Sequence, residues 1–272
     1  MRFATFLIAA SLWAEETTKS PLYHVTVVAR STKAVNYGHR ALPTRIDFKG
    51  TVLYPEARGQ ASVESRRGAV EIDAKFNGLD APTRFGASYL TYVLWALTPE
   101  GRPRNLGEVV LNGSNKGRLK VSSELQSFAM IVTAEPYFSV TQPSGVVVME
   151  NVIRPDTVGT VETVEARYDL LPREHYTYEI GAEGAPAASG PKVSMDEYES
   201  ILAIYQAQHA LQIAREAGAE RAAAGTLRRA EELYQRARHL KEQKGQARQV
   251  IMTARQATQT AEDARIIAAK RP

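Results

Sequence analysis

Apolar residues recur at every second position over most of the first two thirds of the chain, which is the period of half-buried β-strands. Residues 69–76 give the clearest case, because Val70, Ile72, Ala74 and Phe76 fall on one side of an extended chain. The same kind of pattern predicts further strands at residues 22–30, 45–54, 61–64, 105–111, 117–121, 146–153 and 161–170.

The run at residues 89–98 is apolar at nearly every position, so we expect it to be covered on both faces, and residues 128–135 form another nearly continuous apolar run. Residues 31–43 are polar and irregular, and we expect no strand there. Turn-forming segments separate the runs, namely Arg66-Arg67-Gly68, Pro99-Glu100-Gly101 and Asn112-Gly113. Short strands at this spacing, with no helical pattern between them, predict an antiparallel immunoglobulin-like β-sandwich over residues 22–180.

The period changes after residues 181–193, whose Gly, Pro and Ala content predicts a flexible linker. Ser194, with Glu197 three residues later, has the spacing of a capping box that opens a helix. Apolar residues then recur every third or fourth position, with breaks expected at Gly218 or Gly225 and at Gly245. We therefore predict an all-β plus all-α chain in two segregated modules, the second being a long-helix hairpin or a three-helix module over residues 194–272.

The first fourteen residues are typical of an export signal. Arg2 supplies a positive start, residues 3–13 form a short apolar segment, and Ala14 offers a small residue for cleavage. The alternative is a buried N-terminal strand. The segment is too short to span a bilayer, which takes about 20 apolar residues. We expect a signal peptide at residues 1–14 and a periplasmic or secreted protein without a transmembrane span.

Charge and cysteine content narrow the classes of function. The chain has no cysteine, which excludes disulfides, thiol nucleophiles and thiolate metal sites. Its net charge of +4 is concentrated after residue 240, because the chain before that point is neutral. We expect weak contact between this basic helix end and an anionic envelope surface, and no nucleic-acid partner.

No catalytic or metal-binding motif stands out. The five histidines lack the spacing of a zinc site, and His209, on an apolar helix stripe, is expected to be packed. Phosphate-loop and nucleophile-elbow motifs are missing from the sequence. The pairs Glu231-Glu232 and Glu262-Asp263 are expected to lie on solvated helix faces. We predict no enzyme activity, no cofactor and no metal.

Two groups of residues are candidates for partner binding. One is the irregular loop around Tyr137, Phe138 and Gln142, for which the alternative is that its aromatic rings close one end of the sandwich. The other is the basic series on the last helix, which comprises Arg248, Arg255 and Arg265.

The β part resembles the extracytoplasmic β-sandwich domain of bacterial anti-sigma-K factors. The residues that carry the resemblance are Tyr92, Trp95, Pro99 to Gly101, Leu106-Gly107, Phe128-Ala129, Val132-Thr133, Glu135-Pro136, Pro143 and Gly145 to Val148. The resemblance implies a sandwich architecture. That family's zinc-binding cytoplasmic helices have no counterpart in this sequence, so sigma-factor inhibition is not implied.

The C-terminal part resembles an uncharacterised Ala-rich helical domain of bacterial envelope lipoproteins. The residues that carry this resemblance are Ala207 to Ala219, Leu227 to Ala230, Ala237, Ala254, Ala257, Ala261 and Ala264. The resemblance implies an envelope location, although the cysteine that anchors such lipoproteins is missing.

These observations lead to three functional hypotheses. The first is a non-enzymatic exported envelope protein, with a β-sandwich for recognition and helices for docking an envelope partner or for self-association. The second is a carbohydrate-active or hydrolytic enzyme using Asp73, Glu108 or Glu135, which requires two carboxylates about 5–10 Å apart in a cleft. The third is an accessory envelope-stress regulator that acts with a separate membrane anti-sigma factor.

Overall fold

The structure is a computed structural model that describes residues 30–38, 42–66, 68–157, 161–166 and 194–271. The expected signal peptide, the expected linker and nearly all of the expected strand at residues 22–30 lie outside these residues.

An antiparallel sheet is followed by helices, as the change of period predicts. Ten strands occupy the described part of the β region: β1 Arg30–Asn36, β2 Thr44–Gly50, β3 Arg58–Arg66, β4 Ala69–Asn77, β5 Thr91–Leu97, β6 Pro103–Val109, β7 Lys116–Ser123, β8 Ser127–Glu135, β9 Val147–Val152 and β10 Val161–Ala166. A 3-10 helix, Pro82–Phe85, precedes β5. The predicted turns at Pro99-Glu100-Gly101 and Asn112-Gly113 are confirmed, and Gly101 has the positive φ that its turn requires. Gly68, between β3 and β4, also has a positive φ, whereas Arg67 of that predicted turn lies outside the described residues.

The sheet curls until it nearly closes. Hydrogen-bonded neighbours run β10-β1-β8-β9-β2-β3-β4-β7, and β5 pairs with both β6 and β8. β6 then lies beside β7 without a ladder between them, and a single bridge connects Leu111, just after β6, with Gly117 of β7. Gly117 permits this approach, because a Cβ there would lie 2.5 Å from Cγ1 of Val109. We call this line of contact the β6/β7 seam.

The alternation of apolar and polar residues along the strands places a hydrophobic core inside the curled sheet. Val70, Ile72, Ala74 and Phe76 of β4 are at most 1% exposed, as their spacing predicts, and belong to one buried cluster with residues of β2, β3, β5 and β8. Every residue of β5 is buried. This confirms the expectation that residues 89–98 are covered on both faces.

The expectation of an irregular segment at residues 31–43 is wrong, because β1 occupies its first part. β1 pairs with β10 and with the start of β8, where β9 bends away toward β2. Asn151 fills this fork: its amide donates to the carbonyl of Lys33 (3.0 Å) and its carbonyl accepts from the N–H of Met130 (2.9 Å). One polar side chain thus stabilises the branch point.

The strand expected at residues 45–54 ends early, at Gly50. The backbone there turns sharply, so that a Cβ on Gly50 would lie 1.8 Å from the carbonyl oxygen of Tyr54. The turn that follows, residues 51–57, leaves Val52 87% exposed and Leu53 43% exposed.

Four helices follow: α1 Met195–Glu216, α2 Ala219–Ala222, α3 Ala224–Glu242 and α4 Ala247–Ala269. Ser194 caps α1 by accepting from the N–H of Glu197 (3.2 Å), as predicted. The first break falls at Gly218, whose φ of 85° is left-handed, whereas Gly225 lies inside α3. Lys241 of α3 reaches back to Glu197 of α1 (2.5 Å). The three long helices form the compact module that the stripes predict.

Strands and helices are segregated along the sequence, but not in space. Val93, Trp95 and Leu97 of β5 belong to the same buried cluster as residues of α1, α3 and α4. The helical residues of this cluster are mostly alanines, among them Ala210, Ala214, Ala230, Ala261, Ala264 and Ala268. Small side chains let the helices approach the sheet closely, so the expectation of two separate modules is corrected to one molecule with a shared core.

Candidate functional site: the polar interface between sheet and helices

Buried polar and charged groups are concentrated where the helices cover β5, β6 and β8. A buried charge is costly unless it is paired and hydrogen-bonded, so such a concentration marks either a structural lock or a reactive site. The hydrogen-bond partners of each group decide between these two uses.

Glu108 of β6 is the centre of the first cluster, and its side chain is 4% exposed. Its Oε1 accepts from Oγ1 of Thr91 (2.8 Å) and from Nε2 of Gln206 on α1 (2.5 Å). Its Oε2 accepts from Nη1 of Arg255 on α4 (2.6 Å). One carboxylate therefore connects β5, α1 and α4 to β6.

Phe138 is joined to the same cluster. Its backbone N–H donates to Oε1 of Gln206 (3.0 Å), and the guanidinium of Arg255 lies 3.8 Å from the centre of its ring. A cation at this distance is attracted by the negative face of the ring. Arg255 thus holds both the carboxylate of Glu108 and the loop that follows β8.

Glu262 of α4 is the centre of the second cluster and is fully buried. Its Oε2 accepts from the Tyr137 hydroxyl (2.7 Å) and from Nε of Arg265 (2.7 Å). Its Oε1 accepts from the Thr141 hydroxyl (2.7 Å), from the Thr141 N–H (3.1 Å) and from Nη2 of Arg265 (2.9 Å). Both oxygens of the carboxylate are saturated.

Burial by itself would raise the pKa of Glu262, but the hydrogen bonds from Arg265, Tyr137 and Thr141 hold that pKa below its usual value. The pKa of Arg265 is raised by Glu262, against the opposing effect of burial. The pair is ionised at neutral pH, and its role is to clamp the loop after β8 onto α4.

A third cluster fixes the same loop from the side of the sheet. Nε1 of Trp95 donates to Oγ1 of Thr133 (2.8 Å), which donates to Oε1 of Glu135 (2.6 Å). The N–H of Ser144 also donates to that oxygen of Glu135 (2.7 Å). Glu135 is fully buried.

His209 of α1 is packed, as its place on the helix stripe predicts. It is 3% exposed, and its Nδ1 lies 3.3 Å from the carbonyl oxygen of Ser88. Burial lowers the pKa of His209 to about 4, so the ring is neutral at physiological pH.

The structure places five of the six predicted partner-binding residues in or beside this interface. Tyr137 and Arg265 are buried, Phe138 is half-buried under Arg255, and Arg255 is bound to Glu108. Gln142 is half-buried beside them. Arg248 lies apart and is exposed, lining a depression of about 370 Å³ between α3 and α4 with Arg236. In this arrangement the loop contacts the helices of its own chain.

Sequence reasoning missed the residues that complete these clusters. Glu262 was expected on a solvated face, and this is wrong, because it is fully buried while its neighbour Asp263 is exposed. A signal was present: Glu262 lies one position after Ala261 and three before Arg265, which places it beside the alanine stripe. Gln206 gave no such signal, because its partner Glu108 is 98 residues away.

The carboxylates of the hydrolase hypothesis do not form one open site. Asp73 lies on the opposite side of the sheet, in an ion pair with Arg118. Glu108 and Glu135 flank Thr91 beneath the helices, and each accepts hydrogen bonds from structural partners. Within the described residues, no group of His, Asp and Glu could hold a metal ion.

No protein-family model matches the chain, and a comparison with curated proteins gave no significant match. None of the helices that the structure describes is long and apolar enough to cross a membrane. The class of protein supported at this point is an antiparallel β protein with helices docked on its sheet through a buried polar interface.

Proposed function

We propose that this chain is a non-enzymatic exported envelope protein that acts as a binding scaffold. In this proposal the helices are a fixed part of the scaffold, and recognition falls to the surface that they leave uncovered. The observation that carries the proposal is the engagement of the carboxylates of Glu108, Glu262 and Glu135 in hydrogen bonds within the chain. Groups engaged in this way are suited to holding elements together and poorly placed to react with a substrate.

The β part in this proposal is an immunoglobulin-like sandwich. The support is that β2, β3, β4 and β7 form one side of the curled sheet and β5, β6, β8 and β9 the other, around a common apolar core. The helices cover the second side. Self-association through the helices and docking of an envelope partner on them remain predictions.

Export is supported by the sequence of the first fourteen residues and is tested by fractionation. We expect a C-terminally tagged chain to appear in the periplasmic or secreted fraction, with an N-terminus beginning after Ala14. A variant with Leu7→Asp, which places a charge in the apolar segment, should stay inside the cell with the segment uncleaved. Retention of the natural chain in the cytoplasm with Met1 in place would contradict the proposal.

A further inference from the structure

The side of the sheet opposite the helices carries a strongly basic surface. Outward positions on β2, β3, β4 and β7 lie in cross-strand rows, and three of these rows hold twelve positions, of which seven are basic and two acidic. The next row along holds two acidic residues, Glu64 and Glu71, beside Ser122. We call the twelve positions the basic face: Lys49, Arg58, Asn77 and Lys116; Asp47, Gln60, Lys75 and Arg118; and Arg45, Ser62, Asp73 and Lys120. Their net charge of +5 exceeds that of the whole chain.

Both acidic groups of this face are in ion pairs, and Glu64 and Glu71 of the adjoining row share Arg66 (3.2 and 3.7 Å). Asp73 binds Arg118 (2.6 Å), which lowers the pKa of its carboxyl. Asp47 binds Arg154 (3.1 Å), which lies outside the face. Lys75 and Lys116 make no ion pair with the described residues, so their charge is available to a partner.

Two like-charge pairs lie directly opposite one another across this face. Lys49 faces Arg58, and Lys75 faces Arg118. Such pairs destabilise a sheet, whereas opposite charges at the same positions would stabilise it. An external anion would relieve this repulsion, so the arrangement favours an anionic partner.

The basic residues of the last helix have less positive charge available for a partner. Arg255 is bound to Glu108, and Arg265 to Glu262. The charge excess that the sequence places on the last helix is therefore partly used inside the molecule. The β part, close to neutral in total, separates its charges so that one face is cationic.

The surroundings of the basic face indicate the kind of anion. The twelve positions include no aromatic side chain on which nucleic-acid bases could stack. The turn of residues 51–57, which joins Lys49 and Arg58 through Gly50, exposes Val52 (87%) and Leu53 (43%). A cationic surface beside an exposed apolar pair suits a bilayer interface, where headgroups attract the charge and the apolar side chains enter the acyl boundary. Glu56 in the turn and Glu150, which is 3.8 Å from Lys49, reduce but do not cancel the attraction.

We infer that the basic face, with the turn of residues 51–57, is a docking surface for an anionic lipid bilayer. The inference deepens the proposed function by naming the partner of the uncovered side of the scaffold, and it rests on that function only in treating this side as the recognition surface. Each basic residue near an anionic membrane contributes about 1 kcal/mol, so several together give measurable, salt-dependent association.

The test is co-sedimentation of the purified full chain with lipid vesicles. We expect binding to vesicles that contain phosphatidylglycerol, little binding to pure phosphatidylcholine, and a steady loss as salt is added. The triple variant Lys49→Gln, Lys75→Gln, Lys116→Gln should lower the partition coefficient roughly a hundredfold at low salt. Replacing Val52 and Leu53 by Ser should weaken the binding that persists at higher salt.

The matched control removes the same charge from the helical end, with Arg236→Gln, Lys244→Gln and Arg248→Gln. It should bind nearly as the natural chain does, and circular dichroism should show that both triple variants are folded. Equal losses in the two triple variants, or no loss in the first, would overturn the inference. So would duplex DNA that displaces the chain from vesicles at equal phosphate concentration, because the partner would then be a nucleic acid. Failure of vesicle binding in a chain that fractionation shows to be exported would remove this inference alone.

Discussion

At the scale of single residues, Glu262 has the largest expected effect on stability. Glu262→Gln leaves the guanidinium of Arg265, which is 7% exposed, without its counter-charge. Loss of one partner of a buried ion pair costs about 3–5 kcal/mol. We expect a lower free energy of unfolding by about that amount in urea titrations. The neighbouring change Asp263→Asn, on an exposed residue, should stay within about 0.5 kcal/mol of the natural chain.

His209 makes stability depend on pH. Its pKa of about 4 in the folded chain lies below the value of about 6.5 in an unfolded chain. As pH falls below 6.5 the unfolded chain binds the proton first, so stability is lost between pH 6.5 and 4, by on the order of 3 kcal/mol. The lowered pKa of Glu262 acts in the same direction at still lower pH.

His209→Gln should flatten this part of the stability profile, whereas Gln208→Asn, a change without a titrating group at an exposed position of the same helix, should leave it unchanged. Urea unfolding at a series of pH values measures both. Equal slopes in all three proteins would show that the ring of His209 is not the titrating group.

At the scale of elements, two glycines with opposite roles offer a paired test. Gly218 has a left-handed φ of 85° between α1 and α2, so Gly218→Ala should destabilise by about 1 kcal/mol. Gly225 lies inside α3, and a Cβ there would meet nothing within 4 Å. Gly225→Ala should therefore stabilise by about 0.5 kcal/mol, since alanine is the better helix former. Thermal unfolding distinguishes the two signs.

The sequence predicts an element well when the residues that determine it lie close together along the chain. The strands β4 and β5 and the break at Gly218 depend on residues within a few positions of each other, and they are confirmed. β1 depends on pairing with β10, more than 120 residues away, and its polar sequence gives no alternation to reveal it. The pairing of strands so far apart in the sequence is determined by tertiary contacts.

The interface was beyond sequence reasoning for the same reason. Each helix stripe is rich in alanine, which indicates close packing but not the partner against which it packs. Arg255 and Phe138 were singled out as candidates for an external partner, and the structure shows them in contact with each other. Residues that a sequence suggests for binding a partner can instead be engaged in contacts within the fold.

At the scale of the whole molecule, the shared core predicts that sheet and helices unfold together. Helix content at 222 nm and the fluorescence of Trp95, which lies in the shared cluster, should report the same midpoint. Ala210→Asp places a charge in that cluster and should separate the two transitions, with the helices melting first. Gln208→Asp, on an exposed position of the same helix, should leave them coincident. Separate midpoints in the natural chain would contradict a shared core.

The β6/β7 seam has a consequence for the local opening of the sheet. β3 is hydrogen-bonded to strands on both sides, but β7 has a full ladder only with β4, and its other edge makes one bridge, to Leu111 after β6. At the start of β7 the N–H of Lys116 donates to Oδ1 of Asn112 (3.1 Å), but the seam-facing amides between Lys120 and Ser123 have no ladder partner. We expect the hydrogens of these amides to exchange with deuterium well before those of β3. Such early exchange means that the curled sheet opens first along the β6/β7 seam.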